Sequence, residues 1–262
     1  MINGLSMNIL NPKINFDSFK SNTGKGITVA VVDSGVDSLH PILQGMVKKS
    51  VRVYKEGDQV IVEEIPVDEL KDDFGHGTAV AGVLQSIAPD IEIINVKVLN
   101  EFNMCTGDIL IKGIEWALEQ KPRIINMSLA TSKKVFFPDI MNLCEKAYEQ
   151  NTIMVASRRN FGDLGCPAMF SSVISVEIGK DFEDIYDLRY KNNTFIECDA
   201  LGEKVKLPTP NNEGFSLQTG TSFATPHVTA FVALILESYP DLATNEVKTI
   251  LKYIQNKGIE EI

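Results

Sequence analysis

The sequence predicts a doubly wound α/β fold, in which a mostly parallel sheet has helices on both faces. Two observations carry this prediction. Short apolar runs rich in β-branched residues recur along the chain, as in buried parallel strands. Between them lie segments with apolar residues three and four positions apart, which is typical of amphipathic helices. Because strands and helices alternate, we expect a parallel sheet that is covered on both sides.

The first expected strand is ITVAVV, at residues 27–32. Four later runs have the same character and are expected to be strands: 91–99, 123–129, 152–157 and 172–178. Two helices are expected at 107–120 and 138–151. The segment GTSFATPHVTAFVALIL, from Gly220 to Leu236, predicts a long buried helix with a polar start. Its Pro226 is expected to lie in the first turn, where backbone amides have no intrahelical partner to lose.

Composition limits the classes of function. The 262 residues contain no linker or repeat, so a single domain over 1–262 is expected. A net charge of −10 argues against a nucleic-acid partner, and no run is apolar enough for a membrane span. The cysteines lack metal-ligand spacing and are expected to be buried, reduced thiols. They are Cys105, Cys144, Cys166 and Cys198.

Three polar residues stand where such folds bind ligands, beyond the carboxyl ends of strands and at helix starts. Asp33 follows the first strand directly, and His76 lies between two glycines before an apolar helix. Ser222 is expected in the first turn of the long helix. Each has a plain structural alternative: a turn, a structural histidine and a helix cap. Together they supply an orienting carboxylate, a base and a nucleophile.

The surrounding segments resemble a known family. VVDSGVDSLHP, GHGTAVAGVL and GTSFATPHV are similar to the Asp, His and Ser blocks of the subtilisin-like serine peptidases, or subtilases. The order Asp, His, Ser is also that of subtilisin. VASRRNFGDLGCPAMFSSVISV resembles the segment with the family's oxyanion-hole asparagine. The blocks extend over residues 27–236, and the resemblance implies a subtilisin-like fold and a serine endopeptidase.

The resemblance implies a role for each matching residue. Ser222 corresponds to the nucleophile, His76 to the general base and Asp33 to the carboxylate that fixes the imidazole tautomer. Asn160 corresponds to the side-chain donor that stabilises the oxyanion, together with the backbone amide of Ser222. Thr221 corresponds to a secondary contributor at this place.

The same resemblance implies that a peptide or protein substrate binds as an added β-strand. Ser128 and Leu129 resemble the segment that pairs with the substrate backbone, and residues 100–108 resemble the opposite wall of the groove. The expected substrate-binding residues are Ser128, Leu129, Ala130, Thr131, Arg158, Arg159, Gly165 and Thr221.

The expected specificity pocket departs from the family. Ala130-Thr131 replaces the usual Gly-Gly, which would narrow the pocket against large aromatic side chains. Arg158 and Arg159 replace small residues, and two interpretations are open. In the first, both guanidinium groups point to solvent or pair with surface acids. In the second, one guanidinium reaches the pocket rim and favours Glu or Gln as the substrate side chain in the pocket.

Further departures concern metals and location. No cofactor is expected, and the tight calcium site that many subtilases have is expected to be absent. GVLQSIAPDIEI runs straight from the histidine helix to a strand, and Ile42 stands where an acidic ligand is usual. No secretory signal peptide or pro-domain is visible ahead of Asp33, so either the sequence begins at a mature end or this is an intracellular form that folds unaided, which the initial methionine favours. These features favour a cytoplasmic form.

Three functions are consistent with the sequence. The first is a site-specific cytoplasmic peptidase that removes the leader of one precursor peptide, as some small lantibiotic-associated subtilases do. The second is a general intracellular turnover protease, which would need an open, apolar pocket. The third is a catalytically inactive binding module, against which the complete set of Asp33, His76, Ser222 and Asn160 argues. The charged pocket favours the first.

Overall fold

The computed structural model describes residues 14–162, 164–192, 194–212 and 214–257. The expectation about a signal peptide falls mainly on residues 1–13, which lie outside the described residues. None of the helices in the described ranges is long and apolar enough to cross a membrane.

A nine-stranded sheet forms the centre of the described part of the chain. Its strands are β1 (Thr28–Asp33), β2 (Val47–Glu56), β3 (Gln59–Glu64), β4 (Glu92–Lys97), β5 (Ile124–Met127), β6 (Ile153–Ser157), β7 (Val173–Ile178), β8 (Leu188–Tyr190) and β9 (Cys198–Ala200). They are ordered β3-β2-β4-β1-β5-β6-β7-β9-β8. Only the edge strands β3 and β8 run antiparallel to their neighbours. β10 (Val205–Pro208) and β11 (Phe215–Gln218) form a separate antiparallel pair.

Five α-helices cover the sheet in the described ranges. They are α1 (His76–Ile87), α2 (Gly107–Glu119), α3 (Phe137–Glu149), α4 (Thr221–Ser238) and α5 (Thr244–Ile254). Helices α1, α4 and α5 share a core with Val29 and Val31 of β1, whereas α2 and α3 pack on the side of Ala30 and Val32. Side chains of β1 alternate between the faces, so both layers are buried. This arrangement confirms the doubly wound, mostly parallel fold.

The five expected strands and three expected helices are all present, with small shifts at their ends. The sequence analysis missed the β2–β3 hairpin. Strand β2 pairs in parallel with β4, but its lysines and Arg52 interrupt the apolar run. A strand near the sheet edge is buried on fewer sides, so it does not need a continuous apolar sequence.

The expectation for Pro226 is wrong. Helix α4 begins at Thr221, so Pro226 is its sixth residue and lies beyond the first turn. A residue with an amide at this position would bond the carbonyl oxygen of Ser222, four residues earlier. Instead, Ser128 Oγ donates to that oxygen at 2.7 Å. The helix accepts an internal proline because another part of the fold supplies the missing donor.

The sheet order locates the place for chemistry. Strand β1 lies between β4 and β5, so the chain builds outward from β1 in both directions. The carboxyl end of β1 is therefore a topological switch point, where doubly wound sheets open a crevice. Asp33 is the last residue of β1.

Candidate active site

Asp33 and His76 are joined by a short hydrogen bond at this crevice. His76 is the first residue of α1, and its Nδ1 lies 2.7 Å from Asp33 Oδ1. The same carboxylate oxygen accepts from the backbone amide of Ser34 at 2.7 Å. Asp33 is fully buried and His76 is 8% exposed. The pair fixes the imidazole so that Nδ1 faces the carboxylate and Nε2 is left for other chemistry.

The environment raises the pKa of His76 above its ordinary value of 6.5. Burial is the largest single influence and opposes the charged imidazolium. The negative charge and hydrogen bond of Asp33, together with the charge of Asp72, outweigh it. His76 therefore holds a proton more strongly in this site than a histidine does in water. This suits a residue that acts as a general base.

A close backbone approach brings the β1 end and the α1 start together. A Cβ atom at Gly77 would lie 2.0 Å from the carbonyl oxygen of Gly35 and 3.2 Å from Asp33 Cβ. Any larger residue at position 77 would push α1 away from the turn after β1. The glycine after His76 is thus a packing requirement of the Asp33–His76 contact.

Asp72 supports this arrangement, and the sequence analysis missed it. Its Oδ1 accepts hydrogen bonds from Ser34 Oγ and from the amide of Gly75, both at 2.8 Å. Its Oδ2 accepts from the amide and the hydroxyl of Thr78, at 2.8 and 2.6 Å. A buried carboxylate at the start of α1 satisfies free helix amides and holds His76 in place. The sequence signal was an acid just ahead of the Gly-His-Gly turn.

The start of α4, which holds Ser222, lies near His76 because α1 and α4 pack against each other. The ring of Phe223, the next residue, is 5.4 Å from the His76 ring. Ser222 is the second residue of α4, and no side chain caps that helix, so the helix-cap interpretation finds no support. Among the described residues no hydrogen bond joins Ser222 Oγ to His76. Such contacts are often long in free enzymes and shorten when substrate binds.

Asn160 follows β6 and points its amide group toward the same place. Its Oδ1 accepts from the backbone amide of Thr221 at 3.1 Å and from Thr221 Oγ1 at 2.9 Å. Because the oxygen is occupied, the Nδ2 group remains the free donor, and it has no partner among the described residues. The first amides of α4 are also without intrahelical partners. The side-chain amide of Asn160 and the backbone amides at the start of α4 can therefore both donate to a negatively charged oxygen between them.

A cleft of about 510 Å³ opens next to these residues. Ser222, Asn160 and Thr221 line it, between a wall at 128–131 and a wall at 103–107. The residues expected to bind substrate all line the cleft except Gly165, which lies directly behind Arg159. The expected opposite wall at 100–108 is thus on the other side of the same groove.

The wall at 128–131 is only partly free to pair with a peptide. Thr131 exchanges two backbone hydrogen bonds with Cys166, each 2.9 Å long. Ser128, Leu129 and Ala130 make no backbone–backbone hydrogen bond recorded among the described residues. An extended peptide can therefore add to this three-residue edge.

The two arginines differ in their contacts. Arg158 Nη1 donates to Glu177 Oε2 at 2.6 Å, and Glu177 also pairs with Lys191. Burial opposes the charge on Glu177, but Lys191 and Arg158 outweigh it and lower its pKa. The guanidinium of Arg159 has no hydrogen bond or ion pair with any described residue. The interpretation of pairing with an acid therefore holds for Arg158 alone.

The four cysteines are free thiols, and Cys144, Cys166 and Cys198 are buried as expected, whereas Cys105 is only partly buried because it borders the cleft. Cys105 lines the cleft, but burial, with a smaller contribution from Asp108, raises its pKa to about 12. A neutral thiol is a poor nucleophile, so Cys105 does not compete with Ser222 for that role.

The region expected to lack calcium has a short connection. Helix α1 ends at Ile87 and β4 begins at Glu92. Ile42 lies in the 3₁₀ turn Pro41–Leu43 and packs against the core, and its hydrocarbon side chain has no ligand oxygen. The absence of a calcium site stays a prediction.

Known proteins are similar to this chain over most of its length. The sequence model described as the subtilase family matches residues 24–257. An intracellular serine protease of Paenibacillus polymyxa is 33% identical over 231 residues, which cover 81% of this chain and 67% of the relative. Some curated relatives are longer, and the chain spans 33% of one of them.

Solved subtilisin-like structures have the same fold as this chain. The structure of Sphericase superposes with a TM-score of 0.72 at 25% identity, covering 88% of this chain and 83% of that one. A lanthipeptide protease superposes with a TM-score of 0.72 at 22% identity, covering 89% and 81%. At this identity the second likeness concerns the fold alone.

Proposed function

The chain belongs to the subtilase family of serine endopeptidases, and we propose that it cuts peptide bonds with Ser222 as nucleophile, His76 as general base and Asp33 as the orienting carboxylate. The observation that carries this proposal is the 2.7 Å contact between His76 Nδ1 and Asp33 Oδ1, with Ser222 at the adjacent helix start. It supplies a base whose orientation is fixed.

The proposed steps are those of a serine peptidase. Ser222 Oγ attacks the carbonyl carbon of the scissile bond while His76 Nε2 takes the hydroxyl proton. Asp33 accepts from Nδ1–H and stabilises the imidazolium without taking the proton. The carbonyl oxygen becomes an oxyanion that accepts from Asn160 Nδ2 and the amide of Ser222.

The intermediate then collapses as the C–N bond breaks. His76 gives its proton to the leaving amine, and the acyl group stays on Ser222 Oγ as an ester. Water attacks this ester with His76 again as base, which releases the carboxylic acid and restores the serine hydroxyl.

Labelling tests this proposal directly. A fluorophosphonate reagent is expected to modify Ser222, and peptide mapping by mass spectrometry locates the adduct. A chain that stays unlabelled and cuts no peptide is a binding module. In that case the proposed activity fails.

For the biological role, the function favoured is removal of the leader from one cognate precursor peptide in the cytoplasm. Support comes from Arg159 and Ala130-Thr131, which line the cleft and restrict the substrate side chains that fit into it. The fold-level likeness to a lanthipeptide protease is consistent with this role. Selective cleavage requires a cleft that rejects most sequences.

General protein turnover inside the cell is the second candidate. The relative from Paenibacillus polymyxa, named an intracellular serine protease, favours it. Digestion of denatured casein separates the two roles. A processing peptidase is expected to leave casein largely intact and to cut a precursor peptide encoded beside its gene at one bond. Extensive casein digestion would favour turnover.

A further inference from the structure

We propose that Arg159 makes the cleft selective for an acidic side chain on the residue whose carbonyl is attacked. This inference rests on the proposed peptidase activity and names the class of substrate. The observation behind it is that, among the described residues, Arg159 has no ion-pair partner and the cleft lining holds no carboxylate.

The neighbouring arginine is already neutralised. Arg158 is held by Glu177, and its Nε donates to the carbonyl oxygen of Arg159 at 3.2 Å. Its charge is therefore satisfied within the protein and its orientation is fixed. Arg159, by contrast, keeps its five donors available among the described residues, and a planar guanidinium binds a carboxylate through two parallel hydrogen bonds.

The stem of Arg159 lies beside Gly165 and Ala130 where these residues border the cleft. Its Cγ and Cδ are 2.7 and 2.9 Å from the place that a Cβ of Gly165 would occupy, and Ala130 Cβ is 3.1 Å from the same point. Gly165 has a φ of +80°, so a side chain there is disfavoured by both space and backbone conformation. The glycine leaves the room in which Arg159 lies next to Ala130.

The charged side chains that line the cleft among the described residues are all positive. Lys133 also lines it and has no ion pair with a described residue, and the lining contains neither Asp nor Glu in the part of the chain that the structure describes. This local excess of positive charge occurs in a chain with a net charge of −10. The field in a cleft adds to the direct contact in attracting an acidic group and in repelling Lys and Arg.

Size sharpens the choice. Arg159 and Ala130 both line the cleft, so a large aromatic side chain has less room than in an open pocket. A glutamate reaches a guanidinium with a flexible stem and offers two acceptor oxygens. A glutamine offers one acceptor oxygen and no charge, so it is expected to be second best.

The test is a set of peptides that differ only at this position, with Glu, Asp, Gln, Leu, Phe or Lys. For the wild type, kcat/KM for Glu is expected to exceed that for Leu by about tenfold to a hundredfold. Arg159→Ala is expected to remove this preference, and Arg159→Glu to make Lys better than Glu. Arg158→Ala is the matched control, which should keep the Glu-first ranking because that guanidinium is bound to Glu177.

The outcomes separate this inference from the proposed activity. A wild type that cuts the set but prefers Phe, Leu or Lys overturns the acidic preference and leaves the peptidase assignment intact. An unchanged ranking in Arg159→Ala assigns the selectivity elsewhere and also overturns the inference. If no peptide is cut and Ser222 resists the fluorophosphonate, both proposals fail.

Discussion

Ser128 Oγ donates a 2.7 Å hydrogen bond to the backbone carbonyl oxygen of Ser222. The bond joins the end of β5 to the first turn of α4. It occupies the carbonyl that Pro226, lacking an amide hydrogen, leaves without a helical donor. A side chain from the cleft wall thus completes the helix that presents the proposed nucleophile.

Removing this hydroxyl is expected to weaken the fold. Ser128→Ala leaves a carbonyl oxygen without a donor near the core, and should lower the free energy of unfolding by about 1–3 kcal/mol. Denaturant unfolding in a Ser222→Ala background, which prevents self-cleavage, measures the change. The cost should be smaller when Pro226 is also alanine, because the restored helix amide can bond the same oxygen. Equal costs in both backgrounds would contradict this account.

Ser222→Ala should abolish peptide cleavage, with a loss of at least about 10⁴-fold in kcat, because the described residues of the cleft offer no other activated nucleophile. Circular dichroism and the melting temperature should remain those of the wild type. Cleavage that persists in a variant preparation free of other proteases would remove Ser222 from the mechanism.

Asn160→Ala should lower kcat by about 10²–10³-fold with little change in KM. This is the range that loss of one such donor costs in subtilisin, a member of the same family. Asn160→Asp serves as a matched comparison, since it keeps the acceptor for Thr221 and replaces the free donor with a negative charge. It should be at least as damaging as alanine. A drop confined to KM would argue that Asn160 binds substrate in its ground state.

The pH profile follows from the raised pKa of His76. The base must be neutral to accept a proton, so activity falls as pH decreases through this pKa. The midpoint of the acidic limb of kcat/KM is expected above pH 6.5. Asp72→Asn should move the midpoint to lower pH, because it removes one of the charges that stabilise the imidazolium. A wild-type midpoint below 6.5 would show that burial dominates.

Chelation should have little effect on stability. An ion bound only to the native state at about 100 times its dissociation constant contributes about 2.7 kcal/mol. For a chain of this size the loss corresponds to about 5–10 °C in melting temperature. With EDTA we expect a change below about 2 °C, measured by calorimetry on Ser222→Ala with added CaCl₂ as the reference. A fall of many degrees would reveal a structural calcium site.

The central elements could be predicted because burial on both faces leaves a continuous apolar signal. Strands β1, β5 and β6 lie in the middle of the sheet, and helices cover both sides. Strand β2 was missed because its neighbour β3 is at the edge and polar residues interrupt it. The Asp, His and Ser positions were predictable since each adjoins such a signal.

The sequence could not predict that Arg158 forms an ion pair whereas Arg159 forms none with a described residue. The difference depends on register: Ser157 of β6 pairs with Val176 of β7, which brings Arg158 beside Glu177. The partner is distant along the chain, and no local pattern specifies this pairing. Asp72 was missed for a similar reason, because its four hydrogen bonds converge only after α1 packs against the turn that follows β1.

The nucleophile proposed for this protein is the last of its site residues to be synthesised. Asp33, His76 and Asn160 leave the ribosome earlier, but α4 must follow and pack against α1 before Ser222 meets the imidazole. A nascent chain can hold three members of the site and still be unable to cut. Newly made segments are extended and vulnerable to cleavage while they fold. The nascent chain cannot cut them itself until α4 has been made and packed.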